Sequence, residues 1–255
     1  MNSDLNSKFE QLGIKVPSIL LPIKGTVLSA WSVVACDQYT SDNNYWKRVE
    51  NAVGTAPSTL RITLPEIFLE AADVESRIQN IHTSMRTYLE DGTLVEQGEM
   101  VVYIERRTDA SGLRQGLLFA MDLERYDYAK DSTTLIRATE GTIVERIPPR
   151  LRVRKEASIE LPHIMILVND PERRLIEGAA ASLKNKELLY KTALMENGGS
   201  ISGWGISDTA SLAMLADILT ELHDDAIKAQ NTETPLFFAM GDGNHSLATA
   251  KAHWV

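Results

Sequence analysis

The sequence predicts an α+β fold of mixed sheets with flanking helices, and three stretches carry that reading. Between Asp73 and Asp91, the apolar residues Val74, Ile78, Ile81, Met85 and Leu89 recur at spacings of three and four, as one face of a helix requires. Glu99 to Arg106 and Leu113 to Leu123 read as two strands, and Asp109-Ala110-Ser111-Gly112 between them reads as a hairpin turn. From His163 onward, strand-like and helix-like runs alternate. The expected layout is an N-terminal α+β part over residues 1–130 and a β-α alternating part over 131–255, as two domains or as one compact unit.

Taken in order, Asp4 to Leu12 reads as a short exposed helix, and Ser18 to Ile23, with Pro17 and Pro22 at its edges, as a short or edge strand. The run from Trp31 to Ala35 feeds a polar cluster, Cys36-Asp37-Gln38-Tyr39-Thr40. Ser41 or Asp42 then caps a helix running to Val53, and Gly54 closes it. Leu60 to Leu64 alternates apolar and polar and reads as a strand ended by Pro65-Glu66. Gly92 stops the amphipathic helix. Pro148 and Pro149 suit the opening of a helix on which Arg150 and Arg154 share a face. His163 to Val168 reads as a buried strand, Glu172 to Met195 as a helix, and Ile201 to Ile206 as a strand weakened by Gly203 and Gly205. Ser207-Asp208 caps a helix through Leu212, Leu215, Leu219 and Leu222.

Bulk properties narrow the class. The 255 residues are 44% hydrophobic and 24% charged, an ordinary globular composition with enough chain for a substantial core. A net charge of −9 argues against sequence-independent nucleic-acid binding, which needs a basic footprint. The single cysteine, Cys36, allows no intrachain disulfide, so a reducing cytoplasmic location is expected. No apolar run approaches a membrane span, and no signal-peptide pattern opens the chain. The last helical run reaches Trp254-Val255 without a cap, which reads as a fragment lacking its C-terminal part or as a naturally short chain.

The chemistry is expected at Pro235 to Ala250. An apolar strand, Leu236 to Met240, stops at Gly241-Asp242-Gly243, and an Ala-rich helix follows. A helix N-terminus presents unpaired N–H groups to a phosphate or carboxylate. Asn244, His245 and Ser246 stand at that mouth as donors, and Asp242 offers a carboxylate to a proton, a hydroxyl or Mg²⁺. The plainer alternative is a glycine turn with an ordinary cap. A second cluster lies at 135–155, where Arg137, Arg146, Arg150, Arg152 and Arg154 concentrate positive charge. Arginine suits bidentate phosphate binding, Thr142 adds a hydroxyl and Glu140 a base or metal ligand. The alternative there is a solvated helix face with local ion pairs to Glu140, Glu145 and Glu156. Asp37 follows an apolar run, where a strand end would present it to a cleft as a general base; an Asx turn is the other reading. The histidines form no His-Glu-x-x-His spacing, and neither a Gly-x-Ser-x-Gly elbow nor a Walker loop is present.

Trp31 to Thr40, Tyr45-Trp46, Leu64-Pro65-Glu66, Ile136 to Thr142 and Gly241 to His245 together resemble the bacterial domain of unknown function 1015 family, in colinear order over nearly the whole chain. Members of that family are typically longer. Its Asp-Gly-His-His-Arg turn is similar to one in the ParB and sulfiredoxin-like superfamily, where a turn and following helix bind nucleotide phosphates. That superfamily includes CTP-binding ParB proteins, sulfiredoxins and free serine kinases. Here Asn244 stands where many relatives have His and Ser246 where they have Arg, so Arg146 or Arg150 is expected to supply a guanidinium from elsewhere. Sulfiredoxins carry Cys where Asn244 stands, which argues against sulfinic-acid repair.

The resemblance implies a phosphotransferase acting on a small hydroxylated metabolite, with free serine the leading acceptor. In that reading Gly241, Gly243, Asn244, Ser246, Thr142, Arg137, Arg146 and Arg150 bind phosphate and substrate. Asp37, Glu140, Asp242 and His245 carry the chemistry, with Mg²⁺ and a nucleotide or pyrophosphate as cofactors. The partner is a small molecule, with no direct nucleic-acid or membrane contact. The alternatives are a nucleotide-sensing module without turnover and a degenerate structural protein.

Overall fold

The computed structural model describes residues 3–35, 39, 41–184, 186 and 188–255. Asp37 and Cys36 lie outside the described residues. Eight α-helices and twelve strands are described: α1 Ser3–Gln11, β1 Ile14–Lys15, β2 Ser18–Pro22, α2 Leu28–Trp31, α3 Asn43–Val53, α4 Val74–Glu90, β3 Leu94–Glu99, β4 Val101–Thr108, β5 Gly112–Leu118, β6 Ala120–Met121, β7 Tyr126–Asp127, β8 Ile136–Arg137, α5 Ile147–Arg154, β9 Met165–Val168, α6 Arg174–Ser182, β10 Leu188–Ala193, β11 Ser200–Ile206, α7 Thr209–Gln230, β12 Phe238–Asp242 and α8 Asn244–Trp254. Mixed and antiparallel sheets with flanking helices make this an α+β fold.

Two four-stranded sheets organise the chain. One is antiparallel, in the order β10-β11-β4-β5; the other runs β7-β8-β12-β9, with β7, β8 and β12 parallel and β9 antiparallel. The largest buried cluster takes Leu5 and Phe9 from α1, Val101 and Tyr103 from β4, Tyr126 and Ile136 from β7 and β8, Leu215 and Leu219 from α7, Met240 from β12 and Leu247 from α8. It therefore draws on residues either side of position 130. Two smaller clusters lie under the N-terminal segments. Tyr45, Trp46, Val49 and Val53 of α3 form one; Ile81 and Met85 of α4 form the other with Ile62.

Several elements follow the sequence pattern closely. The Asp42 carboxylate accepts from the Asn44 and Tyr45 amides and so starts α3, and Gly54 ends it at φ +56°. The predicted amphipathic helix is α4, burying Val74, Ile78, Ile81 and Met85. The hairpin is β4–β5, paired from Val102–Leu118 to Thr108–Gly112.

Four expectations are corrected. Residues 60–64 form no strand: Ser58 takes the Leu60 amide and starts a 3-10 turn, Thr59–Ile62. The alternation reflects packing without a partner strand: Ile62 is buried, while Leu60 and Leu64 are half-buried and pack on the two smaller clusters. The helix expected over 172–195 ends at Ser182, and Leu188–Ala193 is a strand, because β11 offers a ladder that tertiary pairing fills over local propensity. The first helix is not simply exposed, since Leu5 and Phe9 are buried and α1 packs on α7. The strand expected to be buried at 163–168 is the edge strand β9, with Met165 and Leu167 exposed. Gly203 and Gly205 lie within β11. A Cβ on Gly203 would stand 2.2 Å from the Tyr190 ring, so the glycine makes room for an aromatic side chain of the next strand. Burial beneath that crossing pushes the Tyr190 hydroxyl up to about 12.

Candidate functional site

The parallel strands β7, β8 and β12 end on one edge of their sheet, the side where ligands sit in open α/β sheets. The chain after β8 forms the 138–146 loop, and the chain after β12 turns at Gly243 into α8. Gly243 has φ +87°, and a Cβ there would lie 3.2 Å from Ile164 Cα, so the turn needs a glycine on both conformational and steric grounds. Asp242 Oδ1 accepts from the Gly243 amide at 2.8 Å and braces the turn. The strand thus includes Gly241 and Asp242 and lies two residues later than the apolar run Leu236 to Met240 suggests.

The 138–146 loop docks on this turn through four contacts. Thr139 Oγ1 donates to Met240 O at 2.6 Å, the tightest of them. Asn244 Nδ2 donates to Glu140 O at 3.4 Å, and Thr142 Oγ1 donates to Asn244 Oδ1 at 3.3 Å. The Ile143 amide donates to His245 Nε2 at 3.2 Å. The last three are long and individually modest. Tyr126 OH also donates to Asn244 Oδ1 at 3.5 Å, and burial raises the Tyr126 hydroxyl far above its ordinary value. Asn244 is buried, so its amide serves chiefly to hold the loop to the helix. His245 accepts on Nε2, which in the neutral ring leaves the proton on Nδ1. Asp242, Glu140 and Gly241 are exposed at this edge, and Thr142, Gly243, His245 and Ser246 are half-buried. The first-turn amides of α8 have no carbonyl four residues back within the helix to bond, which leaves that end electropositive.

The arginines separate into distinct roles. Arg137 Nε donates to Thr134 O at 2.6 Å and Nη2 to Thr234 O at 2.7 Å, so its guanidinium faces the chain entering β12 rather than the Gly243 turn. Burial lowers its proton affinity. Helix α5, which packs on α8, has Pro148 and Pro149 in its first turn and carries Arg150, Arg152 and Arg154, ion-paired to Glu66, Glu75 and Glu160. Arg146 differs. It is exposed at the end of the Val144–Arg146 3-10 turn, and among the described residues its guanidinium makes no hydrogen bond or ion pair.

The structure therefore gathers Glu140, Thr142, Gly241, Asp242, Gly243, Asn244, His245 and Ser246 at one edge, with Arg146 on the turn that follows the docked Ile143, while the guanidiniums of Arg137 and Arg150 are engaged elsewhere. Thr139, the Ile143 amide and Tyr126 belong to the assembly and were not singled out from sequence. Thr139 falls within the Ile136–Thr142 stretch, whereas Tyr126 carries no local signal because its partner is 118 positions away. Among the described residues, no group of three or more His, Cys, Asp or Glu side chains is placed to hold a metal ion, and no helix is long and apolar enough to cross a membrane.

Fold and site define an α+β protein with a candidate anion cradle where a parallel strand meets a helix. A family described as “Protein of unknown function (DUF1015)” matches residues 20–255, and the chain belongs to that family. No curated protein and no solved structure matches it.

Proposed function

We propose that this protein binds a nucleotide or pyrophosphate at the mouth of α8 and transfers a phosphoryl group to a small hydroxylated metabolite. The observation that supports the reading is the docking of the 139–143 segment onto the first turn of α8, which sets two exposed carboxylates beside a helix N-terminus. The Gly243 turn and the first-turn amides receive phosphate oxygens, with Ser246 adding a hydroxyl. Arg146 neutralises charge on the transferring group. Glu140 or Asp242 accepts the proton of the acceptor hydroxyl as its oxygen bonds to phosphorus and the bond to the leaving phosphate breaks. His245, with Nε2 taken by Ile143, orients the loop. Asp37 has its role from sequence alone.

The donor set fits Mg²⁺, which needs one or two carboxylates plus phosphate oxygens rather than a protein cage. One of the two, Asp242 or Glu140, would hold it and leave the other to take the proton, and the ion would offset charge on the phosphates. Free serine is the leading acceptor, by the resemblance of the turn to that of the ParB and sulfiredoxin-like superfamily; this is fold-level analogy.

A non-catalytic nucleotide sensor is the second reading. It is favoured by the engagement of Asn244, His245 and Arg150 in holding the structure together. Incubation with Mg²⁺, an amino-acid panel and ATP, ADP or pyrophosphate, followed by ³¹P NMR, separates the two. A new phosphomonoester signal is expected. Tight binding without product leaves the sensor, and neither binding nor product removes both.

A further inference from the structure

Glu66 lies far from the candidate site in sequence, yet a continuous set of contacts joins it to His245. The Glu66 carboxylate pairs with Arg150 Nη2, a contact only partly open to solvent. Arg150 Nη1 turns back along its helix and donates to Arg146 O at 2.9 Å. The Arg146 amide donates to Ile143 O at 3.0 Å, closing the 3-10 turn. The Ile143 amide donates to His245 Nε2. Each link fixes the next: the carboxylate orients a planar fork, one arm of the fork holds the carbonyl of Arg146, and the turn that presents Arg146 is held to α8.

We infer that Glu66 is a positioning residue for the anion site, holding Arg146 at the mouth of α8 by way of Arg150. The inference rests on the phosphate-binding reading above and adds how the site is kept in shape. It assigns Arg150 a duty that its charge alone does not meet. A lysine can pair with Glu66, but it has no second arm in fixed geometry for Arg146 O.

The test uses the full chain and two readouts. Pyrophosphate affinity with Mg²⁺ is measured by calorimetry, and amide hydrogen exchange is followed at Ile143, with Tyr103 of β4 as the control. Glu66→Ala and Arg150→Lys are each expected to weaken pyrophosphate binding roughly tenfold, the effect of losing one charge-assisted contact. Both are expected to speed Ile143 exchange by a similar factor and to leave Tyr103 unchanged. Glu66→Gln, which still accepts from Arg150, is expected to fall between wild type and Glu66→Ala. Unchanged Ile143 exchange in Glu66→Ala overturns the relay even if the wild type binds pyrophosphate. Wild-type affinity in Arg150→Lys overturns the role of the fork. Failure of the wild type to bind pyrophosphate overturns the anion site itself, and with it any duty of Glu66 there.

Discussion

The Ile143 amide donates to His245 Nε2 at 3.2 Å, and this contact ties the exposed 3-10 turn bearing Arg146 to the first turn of α8. It makes His245 an acceptor toward the loop. Replacing it with alanine removes the tether, whereas glutamine can present an oxygen near the same place. His245→Ala is expected to speed trypsin cleavage after Arg146 about tenfold, as loss of about 1.4 kcal/mol of docking would do. His245→Gln is expected to stay within a few-fold of wild type. Equal cleavage of all three proteins would mean that the loop is held without this contact.

Gly243 tests the turn. Its φ of +87° and its closeness to Ile164 both oppose a side chain. Gly243→Ala is expected to cost about 1–3 kcal/mol in urea unfolding. A stability equal to wild type would show that the turn can adopt another conformation.

Arg137 and Arg146 are expected to part company on mutation. Arg137 satisfies two backbone carbonyls, so Arg137→Met should lower stability by about 2 kcal/mol. It should leave pyrophosphate affinity nearly unchanged in protein that remains folded. Arg146→Ala should do the reverse: little change in unfolding, and roughly tenfold weaker pyrophosphate binding. Titration calorimetry beside urea melts reads both.

Asp208 gives a pH dependence away from the site. Its hydrogen bond with the Lys186 ammonium, and then the one from the Ser211 amide, holds its carboxyl well below the usual carboxylate range in the fold. A carboxyl depressed by folding adds stability that is fully present above its unfolded value of about 3.9 and is lost as pH falls toward the folded value. Asp208→Asn keeps a capping oxygen for α7 but not the charge. Its stability should therefore vary less than wild type between about pH 4 and pH 2. Identical acid limbs would remove Asp208 from that account.

Local signals carried much of the fold. Asp42 before Asn43 announced a cap, the spacing of Val74, Ile78, Ile81 and Met85 announced α4, and Gly241-Asp242-Gly243 announced a strand turning into a helix. Long-range pairing was not legible. Leu188–Ala193 reads as the end of a helix until β11 is beside it, and Leu60 to Leu64 alternates without a partner strand. The site divided the same way. The sequence named the loop and the turn that meet, but not that Arg137 turns toward Thr234 or that Glu66 holds Arg150. Such choices depend on which carbonyl or carboxylate the fold brings within reach, and residue type alone does not specify them.

The central claim is that the mouth of α8 and the loop docked on it receive a phosphate group. Hydrogen exchange of the full chain with and without Mg²⁺ and pyrophosphate tests it most directly, read peptide by peptide. The account predicts slowed exchange confined to residues 139–146 and 242–247, with the rest of the chain unaltered. Protection elsewhere, or none at saturating pyrophosphate, would contradict it.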